Sequence, residues 1–146
     1  MKKLLAVVLT LACVFGLLGC ANENVKVWDW AQHLTQEDIT AVIPWRHDAE
    51  YEELEPLNEE EIRRLVTLLN NLTKKSFTEN KNLVGITATV GIRIEVASET
   101  YNLIYAPSPY EKYGELEIGY GEKPWWINNA ELLAFFETVT GSQSAE

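Results

Sequence analysis

The chain is poor in the residues that most often carry chemistry. Its 146 residues include two cysteines and two histidines, and both cysteines, Cys13 and Cys20, lie within the first 20 positions. Beyond them there is no thiol, which excludes an internal disulfide, a thiolate zinc site and a cysteine nucleophile from the rest of the chain. His33 and His47 stand outside any nucleophile, metal or acid–base motif. There is no Gly-x-Ser-x-Gly, no phosphate-cradling glycine loop and no His-Glu-x-x-His. Basic residues are scarce as well, 12 against 22 acidic. Lys2 and Lys3 precede residue 20, so the remainder carries 10 basic against 22 acidic residues, a net charge of −12. Nucleic acid, which needs clustered Lys and Arg, is excluded as a partner. An acidic body is also repelled by anionic lipid, so the domain is expected to hover over a membrane on a tether rather than lie on it. Eight Gly and five Pro among 47% hydrophobic residues exclude a collagen-like or disordered chain.

Long apolar runs are absent too, with one exception at the start. Met1-Lys2-Lys3 is followed by Leu4 to Leu18, interrupted only by Thr10 and Gly16, and then by Gly19 and Cys20. The run is too short for a helix that stays in a bilayer. Leu17-Leu18-Gly19-Cys20 resembles the lipobox of bacterial lipoproteins. That resemblance implies cleavage before Cys20 and attachment of a diacylglycerol to its sulfur, with two acyl chains sufficient for stable anchoring. The expected organisation is a signal peptide over 1–19, a lipidated Cys20 and polar tether over 20–24, and one α+β domain over 25–146. Such a chain would be lipid-anchored in the cell membrane and face the extracytoplasmic side. Together with Leu34-Thr35-Gln36-Glu37-Asp38-Ile39 and Ile127-Asn128-Asn129-Ala130-Glu131-Leu132, the lipobox makes the chain similar to small lipoproteins of Firmicutes. The similarity bears on location and brings no catalytic residue or ligand with it.

Hydrophobic periodicity gives the elements. Val25 to Leu34, with Trp28, Trp30 and His33, is expected as a short helical turn or an irregular segment. Ile39, Ala41, Ile43 and Trp45 alternate with Thr40, Val42 and Pro44, the pattern of a half-buried strand; Pro44 suggests that it ends or lies at an edge there. Asn58-Glu59-Glu60-Glu61 has the form of a capping box, with Leu57 and Ile62 placed for a hydrophobic staple. Ile62, Leu65, Val66, Leu69 and Leu72 then recur at helical spacing. The alternation from Ile86 to Val96 predicts a long strand, and Ser98-Glu99 a turn into a second through Tyr101, Leu103 and Tyr105. A third follows at Leu116, Ile118 and Tyr120, after an exposed loop over Ala106 to Tyr113. A second capping box at Asn128 to Glu131, with Ile127 against Leu132, opens a last helix that Gly141 closes. The expectation is an α+β domain with an antiparallel sheet of about four strands and two helices on one face.

Function has to be sought in what is abundant. Asp48, Glu50, Glu52, Glu53, Glu55, Glu59, Glu60 and Glu61 form an acidic stretch without the spaced ligands and glycine of an EF-hand loop, so it reads as a solvated loop and helix start. No metal site or cofactor is expected. Five Trp and six Tyr are many for this size, and aromatic faces are platforms for sugars and peptide side chains. In an extended stretch Trp125 and Trp126 point opposite ways, so one is expected at the surface, with Tyr110 and Tyr113 near it. These four are the candidate ligand-binding residues. The favoured function is a non-enzymatic binding or interaction module of the cell envelope, with a protein, peptide or glycan partner. The alternatives are an accessory subunit of a membrane complex and a hydrolase using Asp48 with a Glu of the 50–61 stretch.

Overall fold

A computed structural model describes residues 23–81, 88–105 and 116–141. Among them are three helices, α1 (Glu23–His33), α2 (Glu59–Asn70) and α3 (Ala130–Thr140). The strands are β1 (Ile39–His47), β2 (Tyr51–Glu53), β3 (Phe77–Glu79), β4 (Val90–Val96), β5 (Glu99–Tyr105), β6 (Leu116–Tyr120) and β7 (Lys123–Ile127). All seven join one sheet in the order β2-β1-β4-β5-β6-β7-β3, every pairing antiparallel. The α+β class and the antiparallel sheet agree with the sequence; the counts of about four strands and two helices do not.

Each additional element has a physical reason. β2 and β3 are three residues long and form the two edges of the sheet, where a strand is defined by its partner rather than by its own alternation. β7 contains Pro124 and two adjacent Trp, which hides its period. It forms because Gly121, at φ +64, turns the chain back from β6. The proline carbonyl then accepts from the Asn80 amide at 3.0 Å. Pro44 likewise fails to end β1. The amides of odd residues in β1 face β4, as His47 shows by donating to the Thr89 carbonyl at 2.7 Å. Pro44 therefore lacks its N–H on the other side, where β2 has already ended and Leu54 donates to the Pro44 carbonyl at 2.8 Å.

The capping box at α2 is present as read: Asn58 Oδ1 accepts from the Glu60 and Glu61 amides at 3.0 Å, and Glu61 Oε2 accepts from the Asn58 amide at 2.9 Å. At α3 the cap falls one residue later than the sequence suggests. Asn129 accepts from the Leu132 amide at 2.8 Å, so Glu131 is not at the position that would close a box. Gly141 ends the helix in the left-handed region at φ 68. The β4–β5 turn is also displaced by one residue, to Ala97-Ser98, and Ala97 takes φ 51.

All three helices lie on one face of the sheet, because a single core joins them to alternate strand residues. Leu65, Leu69, Leu132, Phe135 and Phe136 meet Val42, Ile92, Ile94, Leu103 and Ile118 in it. α2 lies between its neighbours, packed against both, with α1 over β3 and α3 over β1 and β4. α1 contributes Val27, Ala31 and Leu34 to the core. It is also fixed by polar side chains that satisfy the free carbonyls at two helix ends. Asn70 Nδ2 donates to the Ala31 and Leu34 carbonyls at 2.6 and 3.1 Å, Gln32 donates to the Asn70 and Leu72 carbonyls, and Trp28 Nε1 donates to the Leu72 carbonyl at 3.1 Å. α1 is thus a full helix, and its first residue, Glu23, takes half of the expected tether into the fold. Among the described residues no helix is long and apolar enough to cross a membrane.

Candidate functional site

The four proposed ligand-binding residues separate into two groups. Trp125 and Trp126 are 3% and 5% exposed, so the expectation that one of them reaches the surface is corrected. They do point opposite ways. Trp125 enters the core under the helices, while Trp126 lies on the other face between Thr78 of β3 and Glu117 of β6. That second face is not open at this point, since Trp126 is buried there, and beside it Glu117 accepts from the buried Asn80 side-chain amide at 2.6 Å. Tyr110, Tyr113 and the loop around them lie outside the described residues, as does Cys20.

Three carboxylates of the acidic stretch are engaged in structural contacts. Glu52 pairs with Arg46 at 2.6 Å, Glu53 with Arg93 at 2.6 Å, and Glu61 closes the α2 box. The Arg93 guanidinium holds the Glu53 carboxyl below the usual carboxylate range. Asp48 sits in the exposed β1–β2 turn. No three His, Cys, Asp or Glu among the described residues come together as a metal would require. Both histidines are exposed, and His33 sets its Nδ1 2.8 Å from the Asp29 carbonyl within α1.

A different group of aromatics is assembled where the sheet divides. β5 and β6 are paired only from Leu103 to Tyr105 against Leu116 to Ile118. Past that point β5 continues on β4 to Glu99, while β6 continues on β7 to Tyr120. Between the two hairpins lies an open depression of about 410 Å³, lined by Glu99, Thr100, Tyr101, Gly119, Tyr120 and Gly121. Tyr101 and Tyr120 stand next to each other on the helix side with their rings nearly parallel, at 13° and 6.0 Å between centroids. Trp30 of α1 closes the triangle, 4.5 Å from Tyr101 and 5.8 Å from Tyr120. A second, smaller hollow of about 200 Å³ lies on the far side of Tyr120, with Lys26, Glu122, Lys123 and Trp125 among its walls.

The electrostatics of this group follow from burial beside carboxylates. The Tyr101 hydroxyl donates to the Glu99 carboxylate. Desolvation first, then this bond and the Glu99 charge, push the Tyr101 phenol well above its usual range. Burial together with the charges of Glu99 and Asp29 pushes Tyr120 up as well. Both phenols therefore stay protonated at neutral pH and serve as hydrogen-bond donors. With the Tyr101 hydroxyl committed to Glu99, the arrangement can offer the half-buried Trp30 and Tyr120 rings, the Tyr120 hydroxyl and the Glu99 carboxylate to a ligand lying across the hairpin tips.

Sequence reasoning missed this group, because Tyr101 and Tyr120 read as ordinary inward strand positions and Trp30 as part of a short helical turn or an irregular segment. The usable signal was that both tyrosines fall at the ends of their strands next to a turn. Comparison with known proteins gives no matching family model, no matching curated protein and no matching solved structure.

Proposed function

We propose that this chain is a lipid-anchored extracytoplasmic protein whose domain is a binding module of the cell envelope, held by a diacylglycerol on Cys20. The observation that carries the binding reading is the divided end of the sheet, where Tyr101, Tyr120 and Trp30 meet beside Glu99 in an open depression. A ligand there stacks on the half-buried Tyr120 and accepts from its hydroxyl, with the buried Tyr101 behind it donating to Glu99, which suits a sugar ring or a peptide segment of the envelope. The anchor rests on the lipobox residues Leu17 to Cys20.

Two experiments test the two halves. Titration with envelope glycan fragments and peptides should raise the thermal midpoint and change tryptophan emission, since Trp30 touches Tyr101. Tyr120→Ala should abolish the response of whichever ligand binds. A ligand response that survives Tyr120→Ala places binding elsewhere. For the anchor, the intact mass of chain extracted from membranes should lack residues 1–19 and carry a diacylglycerol; a full-length, unmodified chain refutes it.

A further inference from the structure

Charge is divided between the two edges of the sheet. Residues 48–61, which turn into β2, form that strand and start α2, hold eight carboxylates and no basic residue. Every described lysine lies at the opposite edge: Lys26 on α1, Lys74 and Lys75 just before β3, Lys81 just after it, and Lys123 on β7. Lys26, Lys74, Lys75 and Lys81 are exposed. Lys74 lies over the Trp28 ring at 4.6 Å, and Lys123 pairs with Glu79 at 3.2 Å. The acidic side chains described in the same region are Asp29, Glu79, Glu117 and Glu122, so this edge is close to neutral, while the other stays strongly negative with Arg46 and Arg93 set against its eight carboxylates.

The helix that follows Cys20 in the sequence starts at the lysine edge. Lys26, in the first turn of α1, shares a hollow with Tyr120 to Lys123, which sets the start of the helix beside the β6–β7 turn. α1 begins at Glu23, three residues after Cys20. A fully extended chain covers at most about 11 Å over that interval. The field of a charged bilayer extends on the order of 8 Å at physiological ionic strength, so a domain held this closely is oriented by it.

We infer that the edge formed by α1, β7 and β3 is a docking surface for the anionic phospholipid headgroups of the membrane that holds the anchor, with the acidic β2 edge directed away. This rests on the lipoprotein reading and deepens it. It differs from the expectation of a body repelled by lipid in confining the repulsion to one edge, which would set the orientation.

The test uses the full processed chain, purified with its lipid and reconstituted in vesicles of phosphatidylcholine alone or mixed with phosphatidylglycerol. Each lysine is reacted with an amine-specific reagent and, in a parallel sample, each carboxylate with a carbodiimide and an added amine, and the rates are followed by mass spectrometry. The rates at Lys26, Lys74, Lys75 and Lys81 are expected to fall several-fold on the anionic vesicles and to recover in high salt, with the carboxylates of 48–61 equally reactive on both. Lys26→Glu, Lys75→Glu and Lys81→Glu together should abolish the difference at the remaining lysines, without touching the Lys74 and Lys123 contacts. Equal lysine rates on the two vesicles, or protection of the 48–61 carboxylates, overturns the docking surface. If the purified chain carries no lipid by mass, the anchor fails and the docking surface with it; a lipidated chain with equal rates fails only the docking.

Discussion

Two aromatic groups on opposite faces of one sheet are built by different means. Trp45 and Tyr51 belong to the β1–β2 hairpin, lie on the face away from the helices, and meet at 5.8 Å. Tyr51 is 52% exposed, the most accessible large hydrophobic residue among those described. Its hydroxyl accepts from Arg93, which is also bonded to Glu53 and Glu95. Trp30, Tyr101 and Tyr120 come instead from three distant segments and are pressed together under α1. The first group depends on local register and on a glycine: the Trp45 indole lies over Gly91, where an added Cβ would come within 2.4 Å of it. The second depends on long-range packing and on the hydrogen bonds that dock α1. The difference separates a group that a hairpin makes from one that the whole fold must make.

Substitutions that act on one group and spare the other sharpen the contrast. The largest effect is expected from Gly91→Ala, which must displace the Trp45 ring and costs about 2–3 kcal/mol by overpacking. Urea unfolding reads the loss, and a smaller cost of Gly91→Ala in a Trp45→Ala background ties it to the indole. Next comes Asn70→Ala, which removes the donor to the Ala31 and Leu34 carbonyls. Water can reach that helix end in part, so about 1–2 kcal/mol is expected, with altered Trp30 emission and the Trp45–Tyr51 pair unchanged.

A pH profile separates the groups further. Because the folded state holds the Tyr101 and Tyr120 phenols above their usual value, their contribution is complete below about pH 10 and is lost as pH rises through the folded values. The double variant Tyr101→Phe, Tyr120→Phe should flatten this alkaline loss of stability in urea midpoints; an unchanged slope would show that the phenols are not held protonated by the fold. The smallest effect belongs to Glu53→Gln on the other face. Arg93 lowers the Glu53 carboxyl, so its contribution is present above the ordinary carboxylate value and is lost as pH falls, and the variant should slightly flatten the acid limb.

Legibility followed the same division. The α2 cap, the β4 alternation from Val90 to Val96, the β5 alternation and the α3 stripe of Leu132, Phe135 and Phe136 were readable because each is set by spacing within one segment, whereas the expected strand start at Ile86 lies outside the described residues and Ala88 and Thr89 precede the strand. β2 and β3 were not, since three residues carry no period and gain their strand character from β1 and β7. α1 was half readable: Val27, Ala31 and Leu34 have helical spacing, but its docking by Asn70 and Gln32 depends on where α2 ends. Of the candidate site, neither the Tyr101–Tyr120 contact nor the place where β5 leaves β6 is written in any single stretch. Trp125-Trp126 shows the reverse error, because opposite orientation in a strand was legible while the burial of both faces was not.

By itself the sequence determined the α+β class, the caps of α2 and the turn at Gly141, and a strongly acidic chain without a thiol after Cys20, because these depend on composition and on side chains a few positions apart. Strand order, the burial of both tryptophans, the meeting of Trp30 with two tyrosines and the separation of lysines from carboxylates across the sheet were decided only in the tertiary structure. Strand order, the burial of Trp126 beside β3 and the distance of Lys74, Lys75 and Lys81 from the carboxylates of 48–61 depend on β3 being carried by α2 from one edge of the sheet to the other, and a crossing of that length is set by the packing of the whole core rather than by any local preference.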